Sequence, residues 1–101
     1  MIRDLPIGCP CCGYDTVLER NQYHICPVCW WEDDGQDNED ADKVWGGPNA
    51  DLSLSQARKN FLLYGRFDPR RNDLVGKSKQ GHKQLRTFTL DQEGNVIEST
   101  N

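Results

Sequence analysis

Two short strings constrain this chain more than anything else in it: Cys9-Pro10-Cys11-Cys12-Gly13 and Cys26-Pro27-Val28-Cys29-Trp30. Each contains the pattern C-P-x-C. One such pair also fits a redox turn, but two copies separated by thirteen residues suit a tetrahedral metal ion held by four thiolates. Proline after the first cysteine fixes φ and removes an N–H. Glycine after the first pair can adopt positive φ, which lets backbone N–H groups turn toward sulfur. Cys9, Cys12, Cys26 and Cys29 are therefore the expected ligands. Zn2+ is favoured over iron, which accepts a similar mononuclear four-thiolate geometry. The count of 5 cysteines leaves Cys11 over. It is expected either as a small buried hydrophobe beside the ligands or as a reactive thiol competing with Cys12. Four thiolates close the coordination sphere, so the site is expected to be structural and not catalytic.

A metal also answers a shortage. Only 36% of the 101 residues are hydrophobic, so the chain builds a modest core and needs reinforcement. Its length predicts one domain over residues 1–101. No apolar run reaches the length of a membrane span. The first residues lack an apolar signal core and a small-residue cleavage site before Cys9, which predicts a cytoplasmic chain. In that compartment closely spaced cysteines signify metal and not disulfides.

Four segments follow. Residues 9–31 read as a zinc-knuckle hairpin, with strands at 16–18 and 23–25 and a turn at Arg20, Asn21 and Gln22. Residues 32–52 read as an acidic loop carrying −6 between 32 and 43, with a short turn at 41–45 and a break at Gly46, Gly47 and Pro48. The loop fails the calcium-loop template, because Trp30 stands where an acid five residues before Gly35 is required. Residues 53–64 read as a helix: Ser53 is the N-cap, Gln56 completes a capping-box pattern, and Gly65 is the stop. Leu54, Ala57, Phe61 and Tyr64 share its apolar face, which Leu62 and Leu63 widen. Residues 65–101 read as a basic loop, polar and glycine-containing at 76–84, followed by a hairpin of strands 85–90 and 95–98. The expected fold is a small α+β class: a zinc-ribbon or rubredoxin-like pair of CPxC knuckles on a β-hairpin, packed with one amphipathic helix and a C-terminal β-hairpin.

Charge is divided along the chain. Residues 1–52 hold 11 acidic and 3 basic groups, and residues 53–101 hold 5 and 9. Such a dipole either steers a charged partner or draws the two halves together. Trp30 and Trp31, with Glu32, Asp33, Asp34, Asp37, Glu39 and Asp40, form the expected surface for a protein partner. The stretch 58–86 is +7 net, with Phe67, Phe88 and Tyr64 available to stack a base. The acidity of residues 32–43 opposes nucleic-acid binding. His24 and His82 are far apart, and no nucleophile, histidine and acid fall in a recognised order. No catalytic residue is assigned and the chain is not expected to be an enzyme. Two alternatives stand beside this reading: a nucleic-acid-binding or regulatory zinc ribbon, and a small thiol-dependent enzyme using Cys11.

The string CPCCGYDTVLERNQYHICPVCWWEDDGQD, followed by GGPNADLSLSQARKNFLLYG, resembles the bacterial cysteine-rich CPCC family. The positions that carry the likeness are Cys9, Pro10, Cys11, Cys12, Gly13, Tyr14, Cys26, Pro27, Cys29, Trp31, Glu32, Asp33, Asp34 and Gly35. The resemblance implies a small intracellular metal-binding fold. Some relatives look like small proteins encoded beside secreted bacterial toxins. The resemblance therefore implies an immunity protein whose acidic and aromatic surface covers a basic toxin domain. It ends at Gly65, and nothing beyond that residue transfers.

Overall fold

The structure is a computed structural model that describes residues 7–71 and 81–99. Chain reversal begins at the first knuckle. Gly13 N–H donates to the Cys9 carbonyl at 2.7 Å, and Cys9 N–H to the Tyr14 carbonyl at 2.8 Å. The flanks of this turn then meet, Ile7 and Val17 exchanging two backbone hydrogen bonds at 2.6 and 3.2 Å. The second knuckle repeats the device. Trp30 N–H donates to Cys26 and Cys26 N–H to Trp31, and Ile25 bridges Glu32.

This corrects the expected knuckle hairpin. Segments 16–18 and 23–25 do not pair with each other, and the cysteines are not carried on a β-hairpin. Each CPxC turn already reverses the chain, so each arm finds its partner across its own turn. Positive φ at Asn21 and Tyr23, 63° and 59°, breaks the extended run between them.

The acidic segment is built, not loose. A short 3₁₀ helix spans Asn38–Asp40, capped by Asp37, whose carboxylate accepts from Asn38 N–H while Asp40 reaches back to Asp37 N–H. A second 3₁₀ turn spans Gly47–Asn49. The expected turn at 41–45 thus lies between two turns that flank it.

Helix α1 spans Leu54–Tyr64 and starts where the cap predicts, Ser53 Oγ accepting from Gln56 N–H at 3.0 Å. The reciprocal half of the capping box is absent, because Gln56 Nε2 donates instead to Asn60 Oδ1. Gly65 closes the helix in the left-handed region at φ 84°. Leu54, Ala57 and Phe61 are buried, but Tyr64, Leu62 and Leu63 are exposed. The buried face is completed by Arg58 and Asn60, whose polar ends find carbonyl oxygens of Pro10 and Phe67. That pairing allows two polar residues to be buried where leucines were expected.

Strands β1 (Thr87–Leu90) and β2 (Val96–Ser99) form an antiparallel hairpin, with Phe88 opposite Glu98. Asp91 closes the turn by accepting from Glu93 and Asn95 N–H groups. Leu85 lies outside β1 and donates its N–H to the Gly13 carbonyl. Of the expected loop 76–84, residues 76–80 lie outside the described residues. One cluster of buried side chains joins all five cysteines to Val17, Val28, Trp31, Leu54, Phe61 and Phe67. Within it Trp31 and Phe67 meet edge to face at 5.9 Å, a favourable aromatic geometry. No described helix is long and apolar enough to cross a membrane.

Candidate metal centre

The two knuckles face each other and bring Cys9, Cys12, Cys26 and Cys29 together, all four sulfurs within 4.8 Å of one another. Cys9 Sγ lies 3.7 Å from Cys29 Sγ, and Cys12 Sγ lies 3.7 Å from Cys26 Sγ. A regular tetrahedron with metal–sulfur bonds of about 2.3 Å has sulfur–sulfur edges of about 3.8 Å. The donor set therefore fits a tetrahedral ion. All five cysteines are free thiols, so no disulfide competes.

Backbone and side-chain donors surround the sulfurs. Cys11 N–H points to Cys9 Sγ, Val28 N–H to Cys26 Sγ and Trp31 N–H to Cys29 Sγ, each at 3.4 Å. Thr16 Oγ1 donates to Cys26 Sγ at 3.0 Å. Donors of this kind offset thiolate charge and orient the ligand. The sequence reading missed Thr16, because it sits in a segment that looked like plain strand.

The electrostatics favour a cation. Hydrogen bonds from Cys12, then Cys29 and Cys9, drive Cys26 toward the thiolate, while the same contact with Cys26 pushes the Cys12 thiol up. Burial pushes Cys29 upward as well. Four crowded buried sulfurs cannot all ionise without a positive charge among them, and a divalent ion bound there would supply it. Cys11 is outside this group of four. It is 1% exposed, and burial pushes its thiol up, the opposite of what activates a nucleophilic cysteine.

The eight residues expected on a partner surface separate into groups. Trp31, Asp33 and Asp34 are buried. Trp31 packs in the core, which its place on the inner side of the second knuckle requires. Asp33 accepts from Asn21 and Gly35 N–H groups and from Arg20 Nε at 2.9 Å. Asp34 accepts from Gln36 N–H and Asn49 Nδ2. Asp37 meets three cations, Arg20 at 2.7 Å, Arg86 at 2.9 Å and Arg58 at 3.5 Å. Asp40 completes the turn of Asp37. Trp30 and Glu32 are half-buried, and Glu39 is exposed. These burials withdraw Trp31, Asp33 and Asp34 from the expected contact face. Most of the acidic run is spent holding the fold, with arginines from distant segments as its counter-charges.

Three residues to which the sequence reading gave no part in this site organise it. Arg58 reaches from α1 to the Pro10 carbonyl at 2.7 Å and stacks over the Phe88 ring at 4.2 Å. Arg86 covers the same ring at 5.1 Å and binds Glu98 at 2.9 Å. Asn49 imitates a neighbouring strand, accepting from Glu32 N–H and donating to the Glu32 carbonyl. Of the aromatic residues available to stack a base, Phe67 and Phe88 are buried and Tyr64 is exposed.

A family model described as Cysteine-rich CPCC matches residues 7–82, so the family pattern runs past Gly65, where the sequence reading had ended the likeness. No curated protein and no solved structure matches the chain.

Proposed function

The chain belongs to the cysteine-rich CPCC family, and from that membership we propose that it is a non-catalytic zinc-binding module whose task is a protein–protein contact. The observation that carries this reading is the closed cage of four buried thiolates with tetrahedral spacing. Cys9, Cys12, Cys26 and Cys29 would hold the ion and leave no position for a catalytic water. When bound, Zn2+ supplies folding free energy by tying two distant turns together. In its most concrete form the module is an immunity protein that neutralises a basic toxin domain. What supports that form is the likeness noted above, with Trp30, Glu32 and Glu39 among the members of the expected surface that keep solvent exposure without an arginine on a carboxylate.

Two measurements test it. Elemental analysis of the purified chain is expected to find about one zinc per chain, abolished by Cys26→Ser. Iron in its place would correct the cofactor. Co-purification of the zinc-loaded chain with the product of the adjacent gene tests the immunity role; separate elution of the two proteins would remove it.

A further inference from the structure

The C-terminal hairpin is a sheet with two edges, and among the described residues only one of them has a neighbour. Asp91 N–H donates to the Asn95 carbonyl at 2.9 Å, and from there the register pairs Leu90 with Val96, Thr89 with Ile97 and Phe88 with Glu98. Hydrogen-bonded and non-hydrogen-bonded pairs alternate along antiparallel strands. Asp91 and Asn95 are a bonded pair, so Thr89 and Ile97 are the next. The N–H and C=O groups of Phe88 and Leu90 therefore point out from β1, and those of Val96 and Glu98 point out from β2. The β1 side is met at its start by the first knuckle: Leu85 and Arg86 N–H groups both donate to the Gly13 carbonyl, and Asp15 N–H donates to the Lys83 carbonyl. On the β2 side no described segment hydrogen-bonds the backbone of Val96 or Glu98.

An edge with unspent backbone groups is a template for another strand, and natural edges discourage this with lysine, proline or a bulge. β2 reads Val96-Ile97-Glu98-Ser99 in unbroken register and has none of these. Its one acid turns to the inner face, where Arg86 Nε meets it at 2.9 Å and Asn38 Nδ2 at 3.1 Å. Thr89, Ile97 and Ser99 are exposed on the outer face, and none is charged. Ile97 is 48% exposed, although a β-branched residue stabilises a strand by packing on its neighbours. Two such edges approach each other without like-charge repulsion, although the chain as a whole carries −4. We propose that β2 pairs with β2 of a second copy of the chain, antiparallel about a two-fold axis at Ile97. Val96 of one copy then exchanges both backbone bonds with Glu98 of the second copy, and the reverse, so the outward groups of both residues are met. Ile97 stands directly opposite its own copy in a non-hydrogen-bonded pair, where side chains come closest. The same patch serves both chains, as two-fold pairing requires. A strand of 4 residues is a short contact, so the dimer is weak and reversible.

Sedimentation equilibrium of the zinc-loaded full chain between about 10 μM and about 1 mM tests the pairing. The expected result is a rise in mass from monomer to dimer that stops there. Hydrogen exchange on the same samples is expected to protect the Val96 and Glu98 amides about tenfold more at the high concentration than at the low, while the Ile97 amide, bonded inside the hairpin, is protected equally at both. Ile97→Lys and Ile97→Glu each set like charges opposite one another and are expected to weaken the dimer about tenfold, and an equimolar mixture of the two is expected to restore it. Zinc content and melting curves verify that both variants fold, and the exchange measurement on the parent needs neither. A single-chain mass at every concentration would overturn the proposal. So would a dimer that both variants retain, which places the contact elsewhere, or a mixture that stays monomeric. Val96 and Glu98 amides protected at every concentration would show the edge covered within one chain, and would overturn it too. A mass that climbs past the dimer would show strands adding without closure and overturn the two-fold pairing.

Discussion

A methyl group at position 13 would lie 1.9 Å from the carbonyl oxygen of Arg86. That oxygen belongs to backbone and cannot rotate away. Gly13 also has positive φ and accepts N–H bonds from both Leu85 and Arg86. Gly13→Ala is thus expected to cost about 2–4 kcal/mol, the sum of strain and overpacking, read as a lower urea midpoint with unchanged zinc stoichiometry. Trp30 poses the opposite question, because at φ 74° a side chain stands where glycine would be relaxed. Trp30→Gly and Trp30→Ala remove the same indole and its packing on the core, and differ chiefly in backbone freedom. The glycine variant is expected to be the more stable by about 1 kcal/mol, a melting temperature about 4–8 °C higher. The reverse order would show that the left-handed conformation belongs to the tryptophan alone.

Between the elements, Asp37 is the junction. Arg20 from the turn between the knuckles, Arg58 from α1 and Arg86 ahead of β1 converge on its carboxylate. Replacing it by Asn leaves three cations crowded together. A fully buried broken pair costs about 3–5 kcal/mol; Asp37 keeps 27% of its side-chain exposure, so about 1–2 kcal/mol is expected after screening. Burial opposes its ionisation, but Arg86 and Arg20 outweigh it and hold the carboxyl below the usual range. The Arg86 contact lowers Glu98 in the same way. A depressed folded pKa stabilises above the unfolded value of about 3.9 and is lost as pH falls through the folded value. The stability gap between parent and Asp37→Asn, measured by urea titration in excess zinc, is therefore constant near neutrality and shrinks below about pH 4. A gap that widened on acidification would reverse the assignment. This junction also marks how far the sequence could be read. Ligand spacing is covalent, so Cys9, Cys12, Cys26 and Cys29 were legible without a fold, as were the Ser53 cap and the C-terminal hairpin. Strands read at 16–18 and 23–25 suggested each other as partners, but pairing went across each knuckle, Ile7 with Val17 and Ile25 with Glu32. The acidic run showed its charge but not the arginines that consume it, because Arg58 and Arg86 lie far along the chain. The split of charge between the halves held that information only in bulk.

At the scale of the whole molecule, the knuckles have ties in every direction. Pro10 accepts from Arg58 of α1, the Gly13 carbonyl accepts from Leu85 and Arg86 just before β1, and Cys29 accepts from Phe67 N–H after the helix. The core cluster includes all five cysteines. Phe88 of β1 is buried outside that cluster and is tied to the first knuckle through Arg58, which stacks over its ring and donates to the Pro10 carbonyl. Structural zinc sites contribute about 10–16 kcal/mol in small peptides, as much as the entire stability of a typical domain. Withdrawing the ion should therefore melt helix and hairpin together with the knuckles. On titration with a strong chelator, far-ultraviolet ellipticity from α1 and hydrogen-exchange protection of the β1 and β2 amides are expected to vanish in one step. They should return on adding one equivalent of zinc. A hairpin still protected after the knuckles have opened would show two cooperative units, and would mean that the Asp37 junction holds without the metal. Cys9→Ser gives the same outcome without a chelator, since a hydroxyl left in a buried thiolate cage neither ionises nor binds the ion comparably.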